Sequence, residues 1–190
     1  MTSATPPDHL PASATAAGDG VLIGDGTVTV DAYIDFLCPY CRQFELASED
    51  TLTAMVADGL IRLAYHPMSF LDEASSTRYS SRAAAASGCA SDGGKFREYL
   101  RALFVSQPPE GGPGLSDAEL IGLGASAGLA DAAFSSCVLG GRYLDWPPYV
   151  TELAVAAGVS GTPTVLVAGA PVAAEPRAIA AAVAAAARTR

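Results

Sequence analysis

Positive charge is scarce in this chain of 190 residues: 11 Lys and Arg stand against 20 Asp and Glu, for a net charge of −9. Surfaces that track nucleic-acid phosphates or anionic lipid need clustered basic side chains, so this balance excludes nucleic acid as a partner. Long apolar runs are missing too. A helix that crosses a bilayer needs roughly 18 to 20 consecutive apolar residues, and the nearest approach, Ala178 to Ala187, has ten. No internal repeat is present. What remains is a chain that is 50% hydrophobic and 16% charged, a composition that folds and does not stay disordered. Its length gives room for one well-cored domain, or one domain carrying an insertion.

Residues 1–19 (MTSATPPDHLPASATAAGD) are rich in Pro, Ser, Thr and Ala, with no basic cluster and no apolar core. They are expected to form a flexible leader and do not read as a signal peptide. Either the protein is cytoplasmic, or a signal or membrane anchor has been removed.

Val21 to Ile23, a turn at Gly24-Asp25-Gly26 and the β-branched run Thr27 to Phe36 predict a short strand followed by a longer, central one. After Cys38 the spacing turns helical, with Phe44, Leu52, Met55, Val56 and Leu60 on one side and an end near Gly59. Ile61 to Met68 alternates Ile61, Leu63 and Tyr65 with Arg62 and His66 and predicts the second strand of a βαβ unit. From Ser75 to Gly158 only helical patterns recur, the clearest start being the capping box Ser116-Asp-Ala-Glu119. Thr164 to Val167 and Gly169 to Val172 predict a final hairpin, and Pro176 opens a closing helix through Ala187. The domain expectation is therefore a leader over 1–19, one α/β domain built from 20–72 and 159–190, and an all-helical insertion over 73–158.

Cys38-Pro39-Tyr40-Cys41 falls where the central strand gives way to the helix. The Cys38 sulfur then faces unpaired amides and the positive end of the helix dipole, which favours its thiolate. Cys38 is the expected attacker. Cys41, one turn inside and more buried, is placed to resolve the mixed disulfide. Pro39 sits at the first helical position, where no hydrogen bond is lost. A zinc site would need Cys89, Cys137, His9 or His66 to complete it, and none has ligand spacing. A purely structural C-x-x-C bridge closes a short, strained ring that is easily reduced. Neither metal nor cofactor is expected.

Gly161-Thr162-Pro163-Thr164 is the second constellation, because a Pro just before a strand is a candidate for a cis peptide bond. Together with the strand and the CPYC helix start it resembles the thioredoxin superfamily. CPYC also occurs in glutaredoxins, but the 122 positions from Cys41 to Pro163 exceed one crossover helix and match the helical block. The arrangement resembles the DsbA-type thiol-disulfide oxidoreductases, in particular the actinobacterial, often membrane-tethered branch. The residues that carry the likeness are Asp35-Phe-x-Cys-Pro-Tyr-Cys-Arg42-x-Phe44-Glu45, His66-Pro-x-x-Phe-Leu-Asp72, Tyr143-x-x-Trp146 and Gly161-Thr-Pro-Thr164. The fold it implies is a thioredoxin-like α/β fold with an inserted helical domain.

The resemblance implies Cys38 as redox nucleophile, Cys41 as resolving thiol, and Thr162-Pro163 as a cis-Pro loop on which an extended substrate pairs beside Pro39 and Tyr40. One position departs from it: many relatives carry a buried acid six residues before the first cysteine, where this chain has Ala32. The nearest carboxylates are Asp31 and Asp35, and Asp35 is expected as a solvated or hydrogen-bonded acid at the strand end.

Cys89 and Cys137 each follow apolar residues by three or four positions, so both are expected to face the interior of the helical block. A bridge between them would close a loop of 48 positions and stabilise by up to about 4 kcal/mol. The alternative is two unlinked buried thiols. A bridge would point to an oxidising compartment. His66 is expected to end its strand with a satisfied imidazole, and Trp146-Pro147-Pro148 to be a kinked helix start packed on the core.

Three functions follow. The first is an extracytoplasmic, monomeric dithiol oxidase acting on unfolded or partly folded cysteine-containing proteins, for which the resemblance implies recycling by a membrane quinone-linked oxidase. The second reverses the electron flow, giving a reductase or a glutathione-dependent enzyme, with a cytoplasmic location. The third is a non-catalytic module that holds extended peptides.

Overall fold

The computed structural model describes residues 4–188. The first three residues of the expected leader and the last two of the 159–190 segment lie outside the described residues. Branched aliphatic residues dominate the first strands, β1 (Val21–Ile23) and β2 (Val28–Ile34), β2 stopping two residues short of the expected Phe36. A third strand, β3 (Ile61–Pro67), runs parallel to β2, with Val28 opposite Ile61 and Ile34 opposite Pro67. The hairpin β4 (Thr164–Val167) and β5 (Ala170–Val172) adds two antiparallel strands on the other side of β2. Ala168 and Gly169, with φ of 50° and 81°, turn that hairpin, and positive φ at both central positions suits the twist of the flanking strands. The sheet order β1-β3-β2-β4-β5 leaves β2 in the middle.

Helix α1 (Pro39–Ala57) joins β2 to β3 and buries Cys41, Phe44, Glu45, Ser48, Leu52 and Met55. It ends in a Schellman motif. Gly59 takes φ of 66°, its amide bonds to Val56, and the Leu60 amide reaches back to Met55 at 3.0 Å. Leu60, expected on the helix face, therefore lies beyond the helix and is 45% exposed.

Between β3 and β4 the described residues form no strand. A 3-10 turn (Asp72–Ala74) leads to α2 (Tyr79–Asp92), α3 (Phe96–Val105), α4 (Asp117–Ser126), α5 (Ala132–Leu139) and α6 (Trp146–Ala156), and α7 (Pro176–Arg188) closes the chain. The capping box at α4 is present, Ser116 and Glu119 satisfying each other's free amides. Helix α2 is buried on nearly every side and consists mostly of Ala, Ser and Gly. Its neighbours approach closely: a Cβ on Gly88 would stand 3.0 Å from the Tyr143 ring. On β3 only Arg62 is exposed, because α1 and α6 both pack against the strand. His66, expected on the polar side of the alternation, is buried for that reason.

Residues 8–20, within the expected flexible leader and the residue after it, form a hydrogen-bonded strap across the helices. The Trp146 indole donates to the Gly18 carbonyl at 2.8 Å, the Tyr149 hydroxyl to Ala17, the Ala12 amide to Asp92, and the Asp8 amide to Asp145. Low sequence complexity there coexists with an ordered backbone because the strap bonds through its main chain, the Gly18 and Ala17 carbonyls accepting and the Asp8 and Ala12 amides donating to carboxylates, and every non-proline residue carries both groups.

Candidate redox site

Antiparallel pairing of β2 with β4 places Tyr33 opposite Thr164. Two residues further along β2 and one back from β4, the chain reaches Asp35 and Pro163, so the turn before α1 and the loop before β4 come together. The Thr162–Pro163 bond is cis, and the Cys38 thiol donates to the Thr162 carbonyl at 3.3 Å. The structure thus brings together Cys38, Cys41, Thr162 and Pro163. Pro39 and Tyr40 border the same place from the first turn of α1, Tyr40 being 67% exposed.

Cys38 is the N-cap of α1 and Pro39 its first helical residue. The thiol is pulled down from 9.0 to about 6, first by the hydrogen bond with the Cys41 thiol, then by one with Thr162 and by the Cys41 and Tyr40 amides, against the opposing effect of burial. Helix-end amides therefore contribute as the sequence implied, but the second cysteine contributes most. Cys41 is fully buried, and burial, followed by its bond to Cys38, raises its pKa well above the ordinary thiol range. One sulfur is set up to be a thiolate at neutral pH and the other to stay protonated. Both are free thiols.

Asp35 is not solvated. It has no exposed surface and accepts three hydrogen bonds: from the Leu37 amide at 2.9 Å, the Ser80 hydroxyl at 2.6 Å and the Leu71 amide at 2.9 Å. Its own amide points at the Cys41 sulfur at 3.4 Å. The carboxylate thus ties the redox turn to α2 and to the loop after β3. Burial outweighs these bonds and raises its pKa from 3.8 to about 6. A raised carboxyl pKa means the folded state holds the proton more tightly. Stability from this group is present below about pH 4 and is lost as pH rises through about 6. Asp35→Ala strands three donors and is expected to cost about 3 kcal/mol or more in urea unfolding. In the oxidised protein, Asp35→Asn is expected to flatten the decline in stability between pH 4 and 7; an unchanged slope would show that Asp35 does not titrate there.

Two further side chains, Gln107 and Arg42, had no role assigned from the sequence. Gln107 donates to the carbonyls of Phe36 and Cys38, at 2.9 and 3.0 Å. Arg42 donates to the Phe104 carbonyl at 3.0 Å, and the Phe104 ring lies 5.2 Å from that of Phe36. Both fasten the turn to the end of α3. Glu45, one helical turn after Cys41, is buried, accepts from the Tyr65 hydroxyl at 2.8 Å and lies 3.8 Å from Arg97; burial raises its pKa. His66 stacks on Tyr33 and donates from Nδ1 to the Asp19 carbonyl at 2.7 Å. Trp146 is buried at the start of α6. Cys89 and Cys137 form a disulfide, Sγ–Sγ 2.08 Å, joining α2 to α5. Cys89 faces the interior, while Cys137 is only half-buried. Among the described residues no group of three His, Cys, Asp or Glu could hold a metal ion, and no helix is long and apolar enough to cross a membrane.

A central βαβ unit, a dithiol at its helix start, a cis-Pro loop facing it and a helical block between β3 and β4 define the class of DsbA-type thiol-disulfide oxidoreductases. A family model described as thioredoxin matches residues 17–184. The chain belongs to that family. It is 36% identical to a disulfide bond oxidoreductase, DsbG, of Mycobacterium tuberculosis, with a TM-score of 0.71 over 81% of this chain and 80% of that one. DsbA of the same organism shows 36% identity and a TM-score of 0.71 over 80% of this chain and 84% of its own. MdbA of Actinomyces oris, at 20% identity, shares the fold with a TM-score of 0.74 over 93% and 92% of the two chains. The serine/threonine-protein kinase PknE of M. tuberculosis is 35% identical over 135 residues, which cover 66% of this chain and 24% of the kinase. The match thus spans about a quarter of that curated relative.

Proposed function

We propose that the protein is a dithiol oxidase that introduces disulfides into secreted or cell-envelope proteins. The observation that carries this reading is the asymmetry of the pair: Cys38 is lowered to about 6 while Cys41 is raised by burial. A stabilised Cys38 thiolate makes the reduced enzyme stable, and a pair that prefers to be reduced is a good oxidant. In the oxidised enzyme a substrate thiolate attacks Cys38. The Cys38–Cys41 bond breaks, a bond forms between substrate sulfur and Cys38, and Cys41 leaves, taking up a proton. The substrate's second thiolate then attacks the first substrate sulfur and expels Cys38 as a thiolate. Two electrons pass from substrate to enzyme, and no cofactor takes part.

Thr162 and Pro163 hold the extended substrate in this reading, with Pro39 and Tyr40 on the opposite wall. Residues 20–72 and 159–190 serve as the thioredoxin-like domain and 73–158 as the inserted helical domain. The Cys89–Cys137 bridge supports an extracytoplasmic location, since structural disulfides persist chiefly outside reducing compartments. Recycling falls to a membrane quinone-linked oxidase. Equilibration with glutathione buffers tests the direction of flow. A potential above roughly −180 mV supports the oxidase; one near about −270 mV, the range of a cytosolic reductase, overturns it.

A further inference from the structure

Cys38, largely buried, lines one of two neighbouring surface hollows. One, of about 550 Å³, is lined by Cys38, Tyr40, Phe70, Leu71, Glu110 and Thr162 among others. The second, of about 490 Å³, includes Tyr40, Gln43, Thr162, Pro163 and Glu175. Tyr40 and Thr162 border both, so the hollows join beside the redox pair into one groove. Each holds a single charged group, a carboxylate, and neither is lined by Lys, Arg or His. Both glutamates are exposed, and among the described residues neither side chain has a hydrogen-bond or ion-pair partner.

This differs from other concave surfaces of the protein. The hollow beside α1 and α3 sets Glu49 and Glu98 against Arg97 and Arg101, and those flanking the Cys89–Cys137 bridge combine Asp with Arg142. There arginines stand among the carboxylates. At the redox groove they do not, and the net charge of −9 adds a field of the same sign. An acidic segment entering the groove meets repulsion at both ends, whereas a basic one is steered in and held.

We infer that Glu110 and Glu175 set substrate choice: the preferred clients are reduced, extended segments with Lys or Arg within a few residues on either side of the reactive cysteine. The inference rests on the oxidase reading of the same site and names its substrate class. Tyr40 and Pro163 supply contacts that any sequence can make; the two carboxylates discriminate among sequences.

The test uses the oxidised full chain and three dithiol peptides that differ only in their flanks, carrying Lys and Arg, Gln, or Glu. At about 20 mM salt the basic peptide is expected to exceed the acidic one about tenfold in kcat/KM, and at about 500 mM salt by less than about twofold. The double variant E110Q/E175Q is expected to bring the low-salt ratio to about two, and E110K/E175K to invert it. Iodoacetamide alkylation of Cys38 checks that the site in each variant is intact. Equal rates for all three peptides with the unaltered protein would overturn the inference while leaving the oxidase standing. A low-salt preference that persists in E110Q/E175Q would overturn it as well. Failure to oxidise any peptide, the neutral one included, would remove the oxidase reading and this inference with it.

Discussion

Cys38→Ser is expected to abolish thiol exchange, with a loss of at least about a thousandfold, because the serine hydroxyl cannot supply the sulfur that forms the mixed disulfide. Cys41→Ser separates the two roles. The lone Cys38 still attacks glutathione disulfide, but nothing resolves the product, so the glutathione adduct accumulates and is read by intact mass. In the reduced protein, alkylation of Cys38 is expected to rise with a midpoint near pH 6. A midpoint near the ordinary thiol value of about 8.5 would remove the basis of the oxidase reading. The sign extends to stability. The folded pKa lies below the unfolded one, so Cys38 stabilises the reduced fold fully above about pH 9, and that contribution is lost as pH falls through about 6. The oxidised protein, lacking the thiol, shows no such dependence from this residue. A peptide-holding module without redox chemistry would retain its activity in Cys38→Ser, which makes that variant the decisive comparison.

Replacing Cys89 and Cys137 together with Ala is expected to destabilise the protein by about 4 kcal/mol, the chain-entropy value for a closed loop of 48 positions. For a chain of this size that corresponds to a fall of roughly 8 to 16 °C in Tm. The measurement is urea unfolding of the double variant with Cys38 and Cys41 kept oxidised, and a loss below about 1 kcal/mol would show that the bridge contributes little. Helix α5 should suffer first. It has eight residues and buries only Phe134, whose ring meets Tyr99 edge-on with centroids 5.3 Å apart. An isolated helix of that length is unstable in water, so the covalent link to α2 is a large share of what keeps α5 in place. Amide exchange along Ala132–Leu139 is expected to accelerate more than exchange in β2.

The parts of the site that sequence reveals are those where local signals coincide. A β-branched run ending at a cysteine, a Pro at the first helical position and a second cysteine one turn later mark the β2-to-α1 junction without any knowledge of the rest. The Thr162–Pro163 loop was legible through its likeness to a family, since 124 positions separate Cys38 from Thr162. Asp35 was misread in part because a carboxylate at a strand end is usually wet. What buries it comes from Leu71 and Ser80, 36 and 45 positions away, and neither carries a pattern that points to it. Gln107, 69 positions from Cys38, follows α3 in a polar loop where no periodicity singles it out. The strap of residues 8–20 was illegible for a different reason. Its composition reports weak side-chain burial, while its attachment depends on the main chain: carbonyls that accept from Trp146, Tyr143 and Tyr149, and amides that donate to Asp92 and Asp145.

That strap has a thermodynamic consequence. It touches the sheet through the Asp19 carbonyl on His66 and the bridge pairing of Ala14 with Val21, and the helices through Gly18 on Trp146 and Ala12 on Asp92. The sheet and the helices also share one buried core, so the strap adds to a fold that melts as a unit. Heating should give a single calorimetric peak, and a protease that cuts within residues 8–20 should lower its midpoint without splitting it.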